Sequence, residues 1–484
     1  MLDAGRSLDS ARRVVVARLA AAEPAQWNPA DVRHLKEGVE ASANGIPLKR
    51  LYGSDFPFHT SLTIEYSNAG ARPSYALGGL STVWGAGMLP FHPDDITDWP
   101  ISPSDLEAGY RSVLAFMPCS GAHDDVEELF PLYSDSPLPL RPARQGEAFL
   151  RDTARARDAL RKNGIVIGRS RLAVDGSSCR RCGLCLYGCP YGLIYNSEST
   201  LQGLLELPNL QYEPGFVVDR LHEEGTSVHV EGHDLPTGAP RVFDAGRVML
   251  AAGAISSTAI LLASLNEYDE PIRLLDSFYF LTPLLRFQGV SGLENETLHT
   301  LSQAFILVRD PNVCPEFIHF SLYGYNDLMI PSLKATAGAV GGLSAIFSRA
   351  MVCGGYLHSR HSPGIQLTLR RDGILLEGEN SAAAITMAKN AARKLLSQAA
   401  RLRAIPLIPA MRFPAPGRGF HTGGSFPMRS ERAPHTSDPE GRPFGFERVH
   451  IVDATCFTSI PATTITLPVM ANAWRIANLA GDRA

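Results

Sequence analysis

No run of ~18 uninterrupted apolar residues occurs in this chain, so no membrane-spanning helix is expected. Charge is also sparse: charged residues make up 19% of the sequence, the net charge is -4, and no Lys/Arg run stands out. That balance excludes the basic footprint of a nucleic-acid binder or of a protein drawn to an anionic membrane surface. The N-terminal stretch from Met1 to Arg13 is polar and lacks the apolar core and small-residue cleavage site of a secretory signal. Cysteine is scarce outside one loop, and its pattern is not that of a secreted disulfide framework. A cytoplasmic protein is the expectation. Internal repeats and low-complexity segments are missing too.

What is present is an ordinary enzyme composition, 45% hydrophobic over 484 residues. That length buries a large core and suits two domains or two interleaved lobes. The 43 glycines and 35 prolines imply many turns and close backbone approaches.

Four of the eight cysteines fall in one run: Cys179, Cys182, Cys185 and Cys189, followed by Pro190. The C-x2-C-x2-C-x3-C-P spacing is that of ferredoxin-type iron–sulfur ligands, and Gly183 and Gly188 allow a tight loop that turns thiolates inward. A ferredoxin run sends its fourth cysteine to a second cluster, and no second run exists here. A [3Fe–4S] site or a rearranged single [4Fe–4S] site, a loop without metal, and a zinc site all remain open. Zinc fits least, because structural zinc ligands are usually divided between two knuckles. Arg180 and Arg181 are expected to lower the thiol pKa values. Cys119, Cys314, Cys353 and Cys456 read as small buried hydrophobes.

Helices are expected over 9–22, with Val14–Val16, Leu19 and Ala20 as the apolar face, over 147–163, and over Ser381–Arg403. A short strand is expected at Ile165–Ile167 before the cysteine loop. Strands at Phe216–Val218 and Ser227–Val230 lead into Arg247–Leu250 and then AAGAISSTAILLAS, a strand–turn–helix of the kind found in nucleotide-binding lobes. Residues 303–310, 317–324, 349–358 and 364–377 alternate like antiparallel strands, with an Arg371–Asp372–Gly373 turn in the last hairpin. Val449–Val452 is a strand before a closing helix at Leu467–Leu479.

Three blocks carry a resemblance: GGLSTVWGAG at 78–87, RVMLAAGAISSTAILLAS at 247–264, and HTGGSFPM (421–428) with VHIVDATCFTSIPATTITLPVMANAWRIA (449–477). Together they resemble the glucose–methanol–choline (GMC) family of flavin-dependent oxidoreductases, the last block most specifically. The resemblance implies an α/β fold in which an FAD-binding Rossmann-like lobe interleaves with an α+β lobe built on an antiparallel sheet. It assigns 1–20, 70–115, 165–265 and 437–484 to the FAD lobe. The substrate or cap lobe would be 21–69, 116–164 and 266–436, with the cysteine loop 179–197 near the seam.

It further implies oxidation of a CH–OH group of an alcohol or sugar by hydride transfer to FAD. His421, in an irregular Gly-rich loop, would be the base, since an imidazole titrating near neutrality suits that role. Thr464 stands where the family usually sets a second His or an Asn, and it can hydrogen-bond a substrate oxygen but is no base. FAD would be held by Asp3, Gly78, Gly79, Ser81, Trp84, Gly85, Val218, Ala252, Gly253, Asp453, Ala454 and Thr466. A Thr N-cap is expected to start the closing helix, whose N-terminus favours negative charge on the reduced ring. The cysteine loop would pass electrons to an acceptor protein, making a dehydrogenase rather than an oxidase.

One departure is large. No G-x-G-x-x-G turn, the usual cradle of the FAD pyrophosphate, occurs anywhere in the chain. The opening MLDAGR resembles the end of the family's second strand, so roughly thirty residues of a βαβ start are expected to be absent. Without them FAD binding is expected to be weak or lost. A truncated or non-catalytic homologue, or a flavin-free iron–sulfur protein, are the competing expectations.

Overall fold

The computed structural model describes residues 1–37, 48–326 and 346–481. Residues 327–345, between the expected strands 317–324 and 349–358, lie outside the described residues. The largest element is a six-stranded antiparallel sheet. Its strands run in the order Ala404–Pro406, Tyr279–Arg286, Ala350–Tyr356, Cys314–Tyr323, Ala304–Asp310 and Ile165–Arg169. A five-stranded sheet runs Thr422–Gly423, Pro271–Asp276, Ile365–Arg370, Gly373–Gly378 and Ile64–Ser67, its last pair parallel. Phe216–Glu224, Ser227–Asp234 and Pro240–Ala245 form a three-stranded meander.

The six-stranded sheet has two unlike faces because side chains alternate along each strand. One face carries Phe280, Ile306, Phe320, Cys353 and Met351, which form a core with the helix Ala382–Ser397. That helix buries Ala384, Ala388, Ala391, Ala392 and Leu395, a stripe at helical spacing whose small side chains allow close approach. Ser381 caps it, accepting from the Ala384 amide at 3.0 Å. The register then sets Tyr279 opposite Tyr356, and Tyr356 opposite His319, in one row on the other face.

The parallel strands expected of a nucleotide-binding lobe are present as two separate pairs. Leu2–Asp3 pairs with Glu213–Pro214, and Val248–Leu250 pairs with Val449–Ile451. Among the described residues no strand is hydrogen-bonded between the two pairs. The helices Ser104–Leu114 and Thr466–Gly481 cross at Gly109, where an added Cβ would lie 2.5 Å from the Ala471 carbonyl oxygen. Gly109→Leu is therefore expected to lower stability by about 1–3 kcal/mol. Urea denaturation checks this; an unchanged midpoint would show that the helices can separate freely.

Several expectations need correction. The first helix spans Ser10–Ala20 and buries only Leu19, with Val15 and Val16 half-buried and Val14 61% exposed, so its expected apolar face is only partly covered. The 147–163 helix is two helices, Arg144–Ala154 and Arg157–Lys162. The long helix likewise ends at Ser397, with a short helix Ala399–Leu402 after it. Pro271–Asp276, Tyr279–Arg286 and Pro240–Ala245 are strands that no pattern had suggested.

Candidate functional site

The Gly-rich block forms a turn at Gly79–Thr82, with Gly78 and Gly79 at φ 84° and 55°, a left-handed region that glycine enters at little cost. A Cβ on Gly79 would meet nothing within 4 Å, so this turn is open on one side. Ser81 accepts from the Ser197 amide at 2.9 Å, and Trp84 Nε1 donates to the Tyr195 carbonyl at 2.8 Å. Both bonds fix the turn to the segment that follows the cysteine loop.

Ala251, Ala252 and Gly253 are exposed at the end of the Val248–Leu250 strand, ahead of the helix Ala254–Leu265. Gly253 has φ 83° and open space where a Cβ would stand. Asp453 braces this corner: its carboxylate accepts from the Gly253 amide at 2.8 Å, Ser257 Oγ at 2.6 Å and the Thr455 amide at 2.8 Å. It therefore acts on anything bound here by shaping the exposed corner. Ala454 is buried beside it, and Val218 is half-buried in the meander. Asp3 receives the Tyr212 hydroxyl at 3.1 Å, and its pKa is raised by burial.

Thr466 opens the closing helix. The expected Thr cap does not form: the hydroxyls of Thr463 and Thr464 are buried and have no hydrogen-bond partner. Thr464 leans on the Gly-rich block instead, its Cγ2 within 2.9 Å of where a Gly87 Cβ would be. Phe305 comes within 3.7 Å of the same Gly87 position, and Tyr323 OH faces Gly85 at 3.5 Å from its would-be Cβ.

His421 enters this space from the loop before Thr422. Its ring stacks on Tyr356 at a centroid distance of 4.9 Å, and its carbonyl accepts from the Ser277 amide at 3.1 Å. Nδ1 is buried without a partner. Burial pushes the imidazole pKa down to about 4, so the ring is neutral and a proton acceptor at physiological pH. The structure thus groups His421, Thr464 and the Gly-rich block with Tyr356, Tyr279, Tyr323 and His319. These last four sit inside apolar-looking strands, and only the sheet register brings them together.

Next to His421, the carboxyl of Asp276 accepts from the Gly417 amide at 2.7 Å and Thr422 Oγ1 at 3.2 Å. Burial pushes its pKa from 3.8 up to about 7. A raised folded-state pKa means this group's contribution is full below about pH 4 and is lost as pH rises through about 7. Asp276→Asn is expected to abolish that loss. Relative to the native chain, its melting temperature should improve steadily from pH 4 to pH 8. A constant difference between the two would show that Asp276 does not titrate in this window.

Cys179, Cys182, Cys185 and Cys189 line one small cavity together with Arg181, Tyr191 and His299. Gly183 and Gly188 turn the chain at φ 75° and 118°. The expected lowering of thiol pKa does not occur. Burial outweighs the arginines, pushing Cys182 up to about 12 and Cys185 up to about 11 and raising Cys179. Lys49 links this loop to the Gly-rich block, its buried ammonium donating to the Trp84 carbonyl at 2.5 Å and feeling Cys185.

Among the described residues, the one group of three metal-type ligands with all donor atoms within 4.8 Å is Cys314, Glu316 and His361. Its carboxylate is already shared between Arg360 at 3.0 Å and His361 at 2.5 Å, an ion-pair cluster. No three of the four loop sulfurs all lie within 4.8 Å of one another.

An α/β chain with two divided parallel pairs, a Gly-rich turn and an antiparallel roof defines the fold class that the GMC resemblance implies. No protein-family model matches the chain, and no curated protein matches it by sequence. Among solved structures it resembles pyridoxine 4-oxidase from Mesorbium loti, with a TM-score of 0.59 and 14% identity over 99% of this chain and 94% of that one. At that identity the likeness is one of fold. No described helix is long and apolar enough to cross a membrane.

Proposed function

We propose that this chain is an FAD-dependent oxidoreductase that oxidises a CH–OH group of an alcohol or sugar, with His421 as the base. The observation that carries this reading is the neutral, half-buried His421 with a buried, unpartnered Nδ1, beside Thr464 and the Gly-rich turn. The fold match to pyridoxine 4-oxidase supports it at the level of architecture.

The residues fit the flavin half of the cofactor. Gly78, Gly79, Ser81, Trp84 and Gly85 would line it, the exposed Ala252–Gly253 corner would face it, and the orphaned hydroxyls of Thr463 and Thr464 lie just before Thr466. When bound, FAD supplies the hydride acceptor. His421 takes the substrate's hydroxyl proton, Thr464 offers a hydrogen bond to the same oxygen, and the tyrosine row keeps water from the imidazole. Asp3 and Val218 would serve the adenosine side. The lobe boundaries read from the sequence belong to this proposal.

The cysteine loop is the proposed seat of an iron–sulfur cluster, supported by four thiols around one cavity and by their C-x2-C-x2-C-x3-C spacing. Through Lys49 and Trp84 it adjoins the flavin turn, which suits an electron exit to an acceptor protein. Eight free cysteines favour a reducing, cytoplasmic setting.

A second reading, a non-catalytic homologue without FAD, is favoured by the division of the parallel strands into two separate pairs. Adding FAD to the purified chain and measuring flavin retained after gel filtration separates the two. Near-stoichiometric flavin supports the oxidoreductase; a colourless chain supports the second reading.

A further inference from the structure

His319 is fully buried in the strand Cys314–Tyr323, yet neither ring nitrogen has a hydrogen-bond partner. Buried polar side chains are nearly always bonded, so an orphaned imidazole points to an occupant. Its surroundings are those of the proposed site. The ring lies near that of Tyr356 at a centroid distance of 6.0 Å, and Tyr356 also stacks on His421. Phe305, which touches the Gly87 position beside Thr464, meets His319 edge-on at 4.7 Å. The Ala462 carbonyl, two residues before Thr464, lies close enough to the ring to favour its protonated form, but outside good hydrogen-bond geometry. Two neutral histidines thus flank one tyrosine, Tyr356, while Thr464 and Phe305 both pack against Gly87.

We infer that His319 is a second catalytic histidine of this site, donating a ring N–H to the substrate oxygen whose proton His421 removes. The inference rests on the oxidoreductase reading. It also answers a deficit within it. As His421 takes the proton, negative charge grows on the oxygen, and a threonine hydroxyl alone stabilises that charge weakly. A neutral imidazole held in a dry, aromatic surround is a stronger and better-placed donor. His319 comes from the antiparallel roof, so the two histidines approach the oxygen from different segments of the chain.

Two measurements test this. In the flavin-free chain, nitrogen-15 NMR of labelled histidines follows the titration of His319. His421→Ala should move it upward, because the charge on His421 opposes that on His319. An unmoved titration would show that the rings share no space and would overturn the inference. In FAD-loaded protein, His319→Phe should slow flavin reduction by an alcohol by about 10²–10³-fold. His319→Gln, which keeps a donor and guards against misfolding, should recover about tenfold of that loss, with KM moving less than kcat. Unchanged turnover in both variants overturns the role. If no alcohol or sugar reduces the flavin of the native chain, the oxidoreductase reading itself fails, and the assigned oxygen with it.

Discussion

Replacing His421 by alanine is expected to slow alcohol-driven flavin reduction by about 10²–10⁴-fold, the usual worth of a positioned general base. The reason lies in three features of its setting. The loop fixes the backbone through the Ser277 amide, the Tyr356 ring fixes the imidazole plane, and burial keeps the ring neutral. A base held neutral down to about pH 4 also dictates the pH profile. The rate should stay flat from pH 8 to pH 5 and fall only as His421 protonates near its depressed pKa. FAD retention by His421→Ala should equal that of the native chain, since the side chain meets Tyr356 rather than the Gly-rich turn. Stopped-flow reduction under argon provides the check, and an unchanged rate would remove His421 from the role.

Cys182→Ser is expected to have the second-largest effect, a nearly complete loss of iron after anaerobic reconstitution. The native loop should take up about three or four irons per chain, with the broad visible absorption of a thiolate-bound cluster. Burial holds Cys182 and Cys185 as neutral thiols near physiological pH, so metal uptake must release protons and strengthen as pH rises. Cys314→Ser is the control, because that thiol belongs to the separate Glu316–His361 cluster and should leave iron content unchanged. A native chain that binds one zinc, or no metal, would reject the cluster.

The hairpin from Ile365 to Gly378 could be read from sequence because the period-two pattern of IQLTLR needs no tertiary context, and Ala304–Asp310 because AFILV is a short, strand-length apolar run. Tyr279–Arg286 could not. Pro283 lies inside it, and proline ordinarily argues against a strand paired on both sides. The break between Arg144–Ala154 and Arg157–Lys162 was invisible because the residues there all favour helix. His421 was conspicuous in its glycine-rich loop, whereas His319 sits in the run FIHFSLY and gains its meaning only from pairing opposite Tyr356. The thiol pKa values were misjudged for a similar reason. Arg180 and Arg181 are neighbours in sequence, but burial is a property of the folded loop. Asp453 shows the opposite case, a residue marked by its motif whose carboxylate holds the corner at Gly253.

The central claim is that the space around His421 oxidises a CH–OH group with FAD. The most direct test is anaerobic mixing of the FAD-supplied chain with a panel of alcohols and sugars while the visible flavin absorption is recorded. Bleaching by at least one member of the panel, abolished in His421→Ala, is the predicted result. Retained flavin that no alcohol or sugar bleaches would contradict it.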